Sequence, residues 1–504
     1  MENHVGKNKK ERRFIMLFNG RTEIQRQKLK LTEAEIEQRI SESSFGEQGK
    51  NWARRWLSVE SYGQVGLALF KMPPIVERAE NDVLIDVDGK EYIDLLAGFS
   101  VSALGQCNRD IAEVIKEQSI KLVHYFDLPH PERIKLAEKL TQITPIKGGK
   151  ARVVFGVTGA DAVELAVRAA RYYTGRPFIL TAFGDYHGVT YGTMPFTGKG
   201  GMWAYFYPVP PHDSTVGYFP FPYPYRSPFG RPPAGEDEGE YCLKKLEEYL
   251  EYYFLSKESP YREVKKDITN VAAFLVEPFQ SSAGYIIPPA GYLKLLRQLA
   301  DKYGILLIVD EIQTGLGRTG KLWATEWEGV EVDMLLTSKA LGGGLPLSAV
   351  IARADILEAW GPGAHVSTQA GNVLACAAAN KVLEIVTKEE FLAEVRHKGE
   401  YFYNGLKELQ ERHPLIGHID ARGLYIGIEL VKNRETREPA SEEAGFILDE
   451  CVKNGLVFER GGYYYNRFQL IPPLTIRRST IDRALEIFDK VFTTAEKFFS
   501  INRD

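Results

Sequence analysis

Ile308-Val309-Asp310-Glu311-Ile312-Gln313-Thr314-Gly315 and, shortly after it, Ser338-Lys339-Ala340-Leu341-Gly342-Gly343-Gly344-Leu345-Pro346 decide the reading of this chain. In both stretches an apolar run ends on a charged side chain. Ile305 to Val309 ends on Asp310, and Met334 to Thr337 ends just before Lys339. Such runs read as buried strands of a parallel sheet. Open sheets of this kind place ligands at the carboxyl ends of their strands. A desolvated lysine there loses part of its preference for the charged form and becomes an amine nucleophile able to form a Schiff base. A carboxylate on a dry strand needs a cationic partner, and a protonated ring nitrogen would serve, keeping the ring an electron sink. For each residue alone a bland alternative competes: a salt-bridging lysine, a capping aspartate. Their placement on consecutive strands argues against both.

Working outward, helix and strand patterns alternate from about residue 110. Ile111 to Val123 reads as a helix, Arg152 to Val157 as a buried strand, and Asp161 to Tyr173 as a helix with Val163, Ala166, Val167 and Ala170 on one face. Strands follow at Phe178 to Thr181, Val271 to Val276, Ile305 to Val309 and Met334 to Thr337, with a helix at Tyr292 to Tyr303. This predicts an α/β fold built on a mostly parallel sheet covered on both faces. Before it, Val83 to Leu96 reads as a strand pair turning at Asp88-Gly89. After about residue 390 the pattern becomes α+β: helices at Phe391 to Glu411, Glu443 to Asn454 and Thr480 to Phe499, and strands at Leu424 to Leu430, Leu456 to Phe458 and Phe468 to Ile471. The expected organisation is a flexible tail or helix over 1–50, a first small-domain segment over 51–109, a large domain over 110–375 and a C-terminal small domain over 376–504. Residues 205–267 read as an insertion rich in proline and aromatics, ordered rather than a free polyproline ligand, because so many aromatics are costly to leave in water.

The chain of 504 residues is 44% hydrophobic and 26% charged, which is ordinary for a multidomain globular protein. Its formal net charge of −4 gives no support for a nucleic-acid or anionic-membrane partner. Cys107, Cys242, Cys376 and Cys451 are far apart and form no CxxC pair, so neither a metal site nor a disulfide framework is indicated, and a reducing cytoplasm is expected. No apolar run approaches the roughly 20 residues of a membrane span. Met1 to Arg13 is polar and basic, and Phe14 to Phe18 is too short for a signal-peptide core; Met16 is a candidate second start.

Two further loops carry candidate chemistry. Val157-Thr158-Gly159-Ala160-Asp161 joins a strand to a helix, where small residues let N–H groups approach a phosphate with the positive helix end behind them. An N-cap threonine before any helix looks similar. Tyr186-His187-Gly188 follows the next strand and offers an aromatic to stack on a planar cofactor; one more buried aromatic is the competing reading.

In this order the motifs resemble the class III aminotransferases, the ω-amino-acid branch of the pyridoxal-phosphate enzymes of fold type I. The likeness runs from about Val83 to Thr475 and is most specific over Asp310 to Pro346. It implies pyridoxal 5'-phosphate as cofactor, a fold type I large domain, and a small domain built from N- and C-terminal segments. It also implies roles. Lys339 would carry the cofactor and shuttle the proton, and Asp310 would hold the pyridine nitrogen. Gln313 would bond the ring hydroxyl, Ile312 and Tyr186 would cover the two ring faces, and Thr158, Gly159 and Ala160 would cradle the phosphate, with His187 and Glu277 beside the ring. Thr368, in His365-Val366-Ser367-Thr368-Gln369, would reach a neighbouring subunit's phosphate, which implies a homodimer with shared sites. Arg422, in Asp420-Ala421-Arg422-Gly423, would grip a substrate carboxylate through its planar fork. Phe99, and Trp56 or Tyr62, are candidates to line an apolar substrate pocket, with a core role the competing reading for each.

Several departures from the family pattern inform the substrate. The phosphate loop reads Thr158-Gly159-Ala160-Asp161-Ala162 in place of Ser-Gly-(Ser/Thr)-Glu-Ala. Gly105-Gln106-Cys107-Asn108-Arg109 replaces Gly-His-x-His-Pro, and Asn372-Val373 replaces Asn-Pro. Val189 stands where 4-aminobutyrate and ornithine aminotransferases carry an arginine for a distal carboxylate. Ser282, in Glu277-Pro278-Phe279-Gln280-Ser281-Ser282, stands where they carry the glutamate that masks the carboxylate arginine. The expected reaction is ping-pong amino transfer from an amino acid or amine to a 2-oxo acid, with pyruvate favoured over 2-oxoglutarate unless Arg226 or Arg231 restores the charge. The alternative is an amino-acid racemase or epimerase of the same family, which uses an aspartate at the Ser282 position as second base; serine is a poor base there. A non-enzymatic pyridoxal-phosphate-binding paralogue is a third reading, opposed by retention of both Lys339 and Asp310.

Overall fold

The computed structural model describes residues 31–63, 65–198, 215–263 and 268–501. The basic N-terminal stretch, Phe14 to Phe18 and Met16 lie outside them, as does the part of the proposed insertion over 205–214. At the centre is a seven-stranded sheet in the order Ala151–Gly156, Ser348–Arg353, Met334–Thr337, Leu306–Asp310, Val271–Val276, Phe178–Ala182, Val216–Phe219. Neighbours pair in parallel from Met334–Thr337 to Val216–Phe219. Ser348–Arg353 is antiparallel to both of its neighbours, so it alone runs against the rest. Val271–Val276 and Leu306–Asp310 are buried at every position, which explains their unbroken apolar sequence.

Two sheet strands differ from expectation. Val216–Phe219 lies in the segment read as an insertion, yet it extends the central sheet beside Phe178–Ala182. Ser348–Arg353 carries no flanking signal that sets it apart from a loop after Gly-Leu-Pro. Other described residues of the proposed insertion fold back on the body: Phe221 and Tyr223 are buried, and the helix Glu238–Leu250, capped by Asp237, buries Cys242, Leu246 and Leu250.

Helix Gly159–Thr174 covers one face through Ala162, Val163, Ala166, Val167 and Ala170; its N-terminus is fixed by a Thr158–Asp161 capping box. Helix Tyr292–Tyr303 lies beside Leu306–Asp310 and ends at Gly304 in the left-handed region. The helix expected to reach Val123 stops at Ser119, leaving Ile120, Leu122 and Val123 exposed.

The terminal portions meet. Val76–Glu80, Val83–Asp86 and Glu91–Asp94 form an antiparallel ribbon, and Leu456–Val457 adds to it in parallel beside Glu91–Asp94. A second, antiparallel sheet joins Ile416–Arg422, Tyr425–Asn433, Arg467–Leu470 and Glu459–Gly461. Helices Glu33–Glu42 and Glu47–Val59 occupy the end of the stretch expected to be a tail or helix and run on past it; the first starts with a Thr32–Glu35 capping box. Trp56 and Tyr62 pack with Ile36, Ile40, Phe45, Ala53 and Leu57 in the cluster these helices form, so both serve as core residues there. Among the described residues, no helix is long and apolar enough to cross a membrane.

Candidate active site

Most of the predicted site residues leave the sheet at one edge. Asp310 ends Leu306–Asp310, Lys339 follows Met334–Thr337, Glu277 follows Val271–Val276, Tyr186 and His187 follow Phe178–Ala182, and Thr158 to Ala160 follow Ala151–Gly156. Parallel strands bring their carboxyl ends together, so residues far apart in sequence converge.

Asp310 is buried. Its Oδ1 accepts from the Ile312 N–H at 3.0 Å, and its Oδ2 lies 2.8 Å from His187 Nδ1. On the other side of that ring, Asp185 Oδ2 stands 3.7 Å from Nε2. Burial opposes a charge on His187, but the two carboxylates outweigh it and raise its pKa to about 10. Asp185 also accepts from Gln280 Nε2 at 2.7 Å. Glu277 closes the cluster: its Oε1 accepts from Tyr186 N–H at 2.8 Å and its Oε2 from Ser281 N–H at 3.0 Å. Burial, then the nearby Asp185, push its pKa up to about 8.

Lys339 opens a short helical turn at a left-handed φ of 39°. Its Nζ donates to Gln313 Oε1 at 2.8 Å, and Gln313 Nε2 donates to Tyr285 OH at 2.7 Å. Burial holds the amine's pKa below the usual lysine range, opposed by the charges of Glu277, Asp310 and Glu459. Burial thus lowers the cost of releasing the proton from this amine. Tyr285 is buried and stacks on Tyr425 at 4.2 Å between centroids.

These residues fit the planar, phosphate-bearing aldehyde that the resemblance implies. Gly159 faces Ile312 closely: a Cβ there would stand 3.0 Å from Ile312 Cδ1 and would press on that side chain. Gly188, at φ 107°, brings the Tyr186 loop onto the Thr158–Ala160 loop, because a Cβ there would stand 3.0 Å from Ala160 Cβ. The N–H groups of Gly159 and Ala160 open helix Gly159–Thr174, where the helix dipole favours an anion. Asp310 supplies a carboxylate for a ring nitrogen, and Lys339 an amine for an aldehyde.

Phe99 sits in an unusual turn. Ala97, Gly98, Phe99 and Ser100 have φ of 46°, 58°, 59° and 72°, a left-handed turn in which three of four residues are not glycine. Each such residue costs roughly 1–2 kcal/mol, so the surroundings must hold the turn. Asp94 Oδ1 accepts from the Leu96 and Ala97 N–H groups at 2.9 and 2.7 Å. The turn packs against the one that begins at Lys339.

Other candidates stand apart. Arg422 is exposed; its Nη1 donates to the carbonyl of Ala421 at 3.2 Å and its guanidinium lies 5.8 Å from the Trp327 ring centroid. It lines a groove of about 730 Å³ with Tyr225, Pro289, Trp327 and His418 rather than contacting the Lys339 cluster. Its strand partner is Tyr425, so its backbone borders the site while its side chain faces the groove. Thr368 is exposed, with its carbonyl 2.6 Å from His124 Nε2. Ser282 is partly buried, and its carbonyl accepts from Gly462 N–H at 3.4 Å. Val189 is exposed. Arg226 is committed to Glu429, and Arg231 is exposed.

Sequence reasoning passed over Asp185, Tyr285 and Arg318. Asp185 directly precedes Tyr186 and could have been taken with it. Tyr285 and Arg318 are marked by no spacing; only the fold brings them in.

A family model for class-III aminotransferases matches residues 69–492. Among curated proteins, the chain is 36% identical to an alanine/serine racemase of Pyrococcus horikoshii, over 88% of this chain and 90% of the relative. It is 33% identical to a diaminobutyrate–2-oxoglutarate aminotransferase of Haemophilus influenzae, over 85% and 92%. Among solved structures, an aminotransferase of Bacillus anthracis superposes with a TM-score of 0.78 at 28% identity, covering 89% of this chain and 99% of that one. With the family model spanning the two strand ends that carry Asp310 and Lys339, this chain belongs to the class-III aminotransferase family.

Proposed function

We propose that this protein is an aminotransferase that moves an amino group from an amino acid or amine to a monocarboxylic 2-oxo acid by a ping-pong route. The cofactor is pyridoxal 5'-phosphate. The observation that carries the reading is a single amine, Lys339, bridged by Gln313 and set one strand away from Asp310, with a serine at position 282.

Bound there, the cofactor supplies an aldehyde that joins an amine and a ring that stores an electron pair. The residues divide the remaining work. Gly159 and Ala160 would bind the phosphate through backbone N–H groups. Ile312 and Tyr186 would hold the ring faces, and Gln313 would bond the ring hydroxyl. Asp310 would keep the ring nitrogen protonated, with His187 orienting its carboxylate and balancing its charge. Lys339, its amine made less basic by burial, would take the proton from the substrate carbon and return it to the cofactor's side. Arg422 would receive the substrate carboxylate after turning from the groove. Because Arg226 is committed to Glu429 and Val189 carries no charge, neither position offers a partner to a second carboxylate on the acceptor, which is disfavoured unless Arg231 supplies one.

A homodimer with shared sites is part of this proposal. Ile120, Leu122, Val123, Tyr125, Phe126 and Leu128 are exposed in one segment, and the Leu374 N–H donates to Val123 O. With exposed Val366 near Thr368, they make an apolar face of the kind subunits cover.

One observation favours a second reading. The relative with 36% identity is a racemase. Racemisation needs a base on each side of the substrate carbon, and Ser282 is a poor one unless a neighbouring group activates it. One experiment separates the two. The holoenzyme is given one pure enantiomer, first without and then with pyruvate or 2-oxoglutarate. Amino transfer that requires the oxo acid, faster with pyruvate, supports the proposal. Appearance of the mirror form without any oxo acid replaces it with the racemase, and a preference for 2-oxoglutarate removes the acceptor assignment.

A further inference from the structure

Arg318 is 1% exposed, yet it makes no ion pair with any described residue, its nearest polar contacts being neutral. Its Nε donates to Ser100 Oγ at 3.1 Å, and its Nη1 donates to the carbonyls of Leu424 at 3.1 Å and Pro472 at 2.6 Å. Its Nη2 is buried without a hydrogen-bond partner. A buried cation held by neutral acceptors is a poor way to fill a core, and an apolar side chain of similar volume would cost less. Its contacts point to another purpose. They join three segments that border the site: the left-handed turn Ala97–Ser100, the hairpin end that follows Arg422, and the loop after Arg467–Leu470. The first of these is the strained one, and it packs against the turn that begins at Lys339.

We propose that Arg318 is a positioning residue that locks the left-handed turn Ala97–Ser100 against the Lys339 turn, and through it sets where Phe99 meets the amino donor. Asp94 fastens the start of the turn through the Leu96 and Ala97 N–H groups; Arg318 fastens its end through Ser100. Without the second fastening, the three non-glycine residues are free to leave the left-handed region. The Ser100, Val101 and Ser102 N–H groups then lose their bonds to Leu96, Gly98 and Ala97. Phe99 moves with them, while Asp310, Gln313 and the phosphate loop, which sit on other elements, stay in place.

This inference rests on the proposed amino transfer for its kinetic arm only. The test compares the holoenzyme with Arg318→Lys and Ser100→Ala. Hydrogen exchange is read over residues 97–102, together with cofactor affinity, thermal midpoint and steady-state kinetics. Expected for Arg318→Lys is exchange at least ~10-fold faster over 97–102, about 1.4 kcal/mol of lost protection. KM for the donor should rise ~10-fold with kcat within about threefold, and cofactor affinity should be unchanged. Ser100→Ala should repeat the pattern more weakly with the thermal midpoint preserved, and it decides the matter if Arg318→Lys fails to fold. Unchanged exchange over 97–102 in Ser100→Ala overturns the proposal. So does a parallel fall in KM quality, kcat, cofactor affinity and thermal midpoint, which marks a purely structural role. If no donor is turned over at all, the functional reading has failed, while the exchange result still tests the clamp.

Discussion

Replacing His187 by asparagine removes a positive charge held between two buried carboxylates while leaving an amide able to donate toward Asp310. The ring lies 2.8 Å from Asp310 and 3.7 Å from Asp185. The rise in its pKa from 6.5 to about 10 corresponds to about 5 kcal/mol at 1.36 kcal/mol per pH unit. That is an upper bound, because Asp185 and Glu277 can take up protons when the cation is gone; a loss of roughly 2–4 kcal/mol at pH 7 is expected. The pH dependence has a definite sign. His187 has a raised pKa in the folded state, so its stabilisation is complete below pH 6.5 and disappears as pH climbs through about 10. Glu277, raised from 4.5 to about 8, acts in the same sense over a lower window: stability is greatest below pH 4.5 and falls as pH rises through 8. The contribution of these two groups therefore declines from acid to alkaline pH, and in His187→Asn its upper limb is missing. At roughly 2.1 cal/mol/K per residue over 504 residues, 1 kcal/mol moves the thermal midpoint by about 1 °C. The cofactor-free variant should melt about 2–4 °C below wild type at pH 7, with the gap closing by pH 10, measured at one protein concentration. A gap of equal size at both pH values would refute the charge argument and leave only a packing defect.

Lys339→Ala should abolish turnover by at least ~1,000-fold with little change in thermal midpoint. Borohydride reduction of the wild-type holoprotein followed by peptide mapping should place the cofactor on Lys339, and a label on any other lysine would sink the assignment. Val189→Arg adds a cation at an exposed position beside the Tyr186 loop; the ratio of kcat/KM for 2-oxoglutarate over pyruvate should rise at least ~10-fold, about 1.4 kcal/mol, and an unchanged ratio would separate position 189 from acceptor choice. In Gly427→Ala the new methyl would stand 2.5 Å from the Gly284 carbonyl oxygen and 2.6 Å from that of Tyr285, backbone atoms that cannot turn aside. Unfolding should become easier by about 1–3 kcal/mol, and a variant as stable as wild type in a urea titration would show that the two segments are not so tightly apposed.

Strands buried on both faces were the most legible part of the sequence. Val271–Val276 and Leu306–Asp310 carry no polar residue before their ends, and a run of that length between helical patterns has few other uses. Val216–Phe219 was not legible, because an edge strand needs only one covered face and this one is embedded among prolines and aromatics. Ser348–Arg353 reverses direction within a sheet otherwise built by crossovers, and nothing local announces a reversal. Among the predicted site residues, those directly following strands come together because strand ends converge. Tyr285 and Arg318 were not, since their partners, Gln313 on one side and Ser100, Leu424 and Pro472 on the other, come from distant parts of the chain. Arg422 shows the opposite limit: its backbone stands where the motif puts it, but a long side chain at a hairpin end chooses its direction from the solvent and the Trp327 ring, which no motif encodes.

Leu456–Val457 completes the ribbon begun by the first strands, and Lys90 Nζ reaches the Lys453 carbonyl 363 positions along the chain. During synthesis at ~5–20 residues per second, the nascent N-terminal hairpin must wait about 20–70 s for its last strand to leave the ribosome. Throughout that delay the edge at Glu91–Asp94 is an open template for another chain. Production of this protein should therefore respond more to chaperone supply and translation speed than to anything done at its catalytic centre.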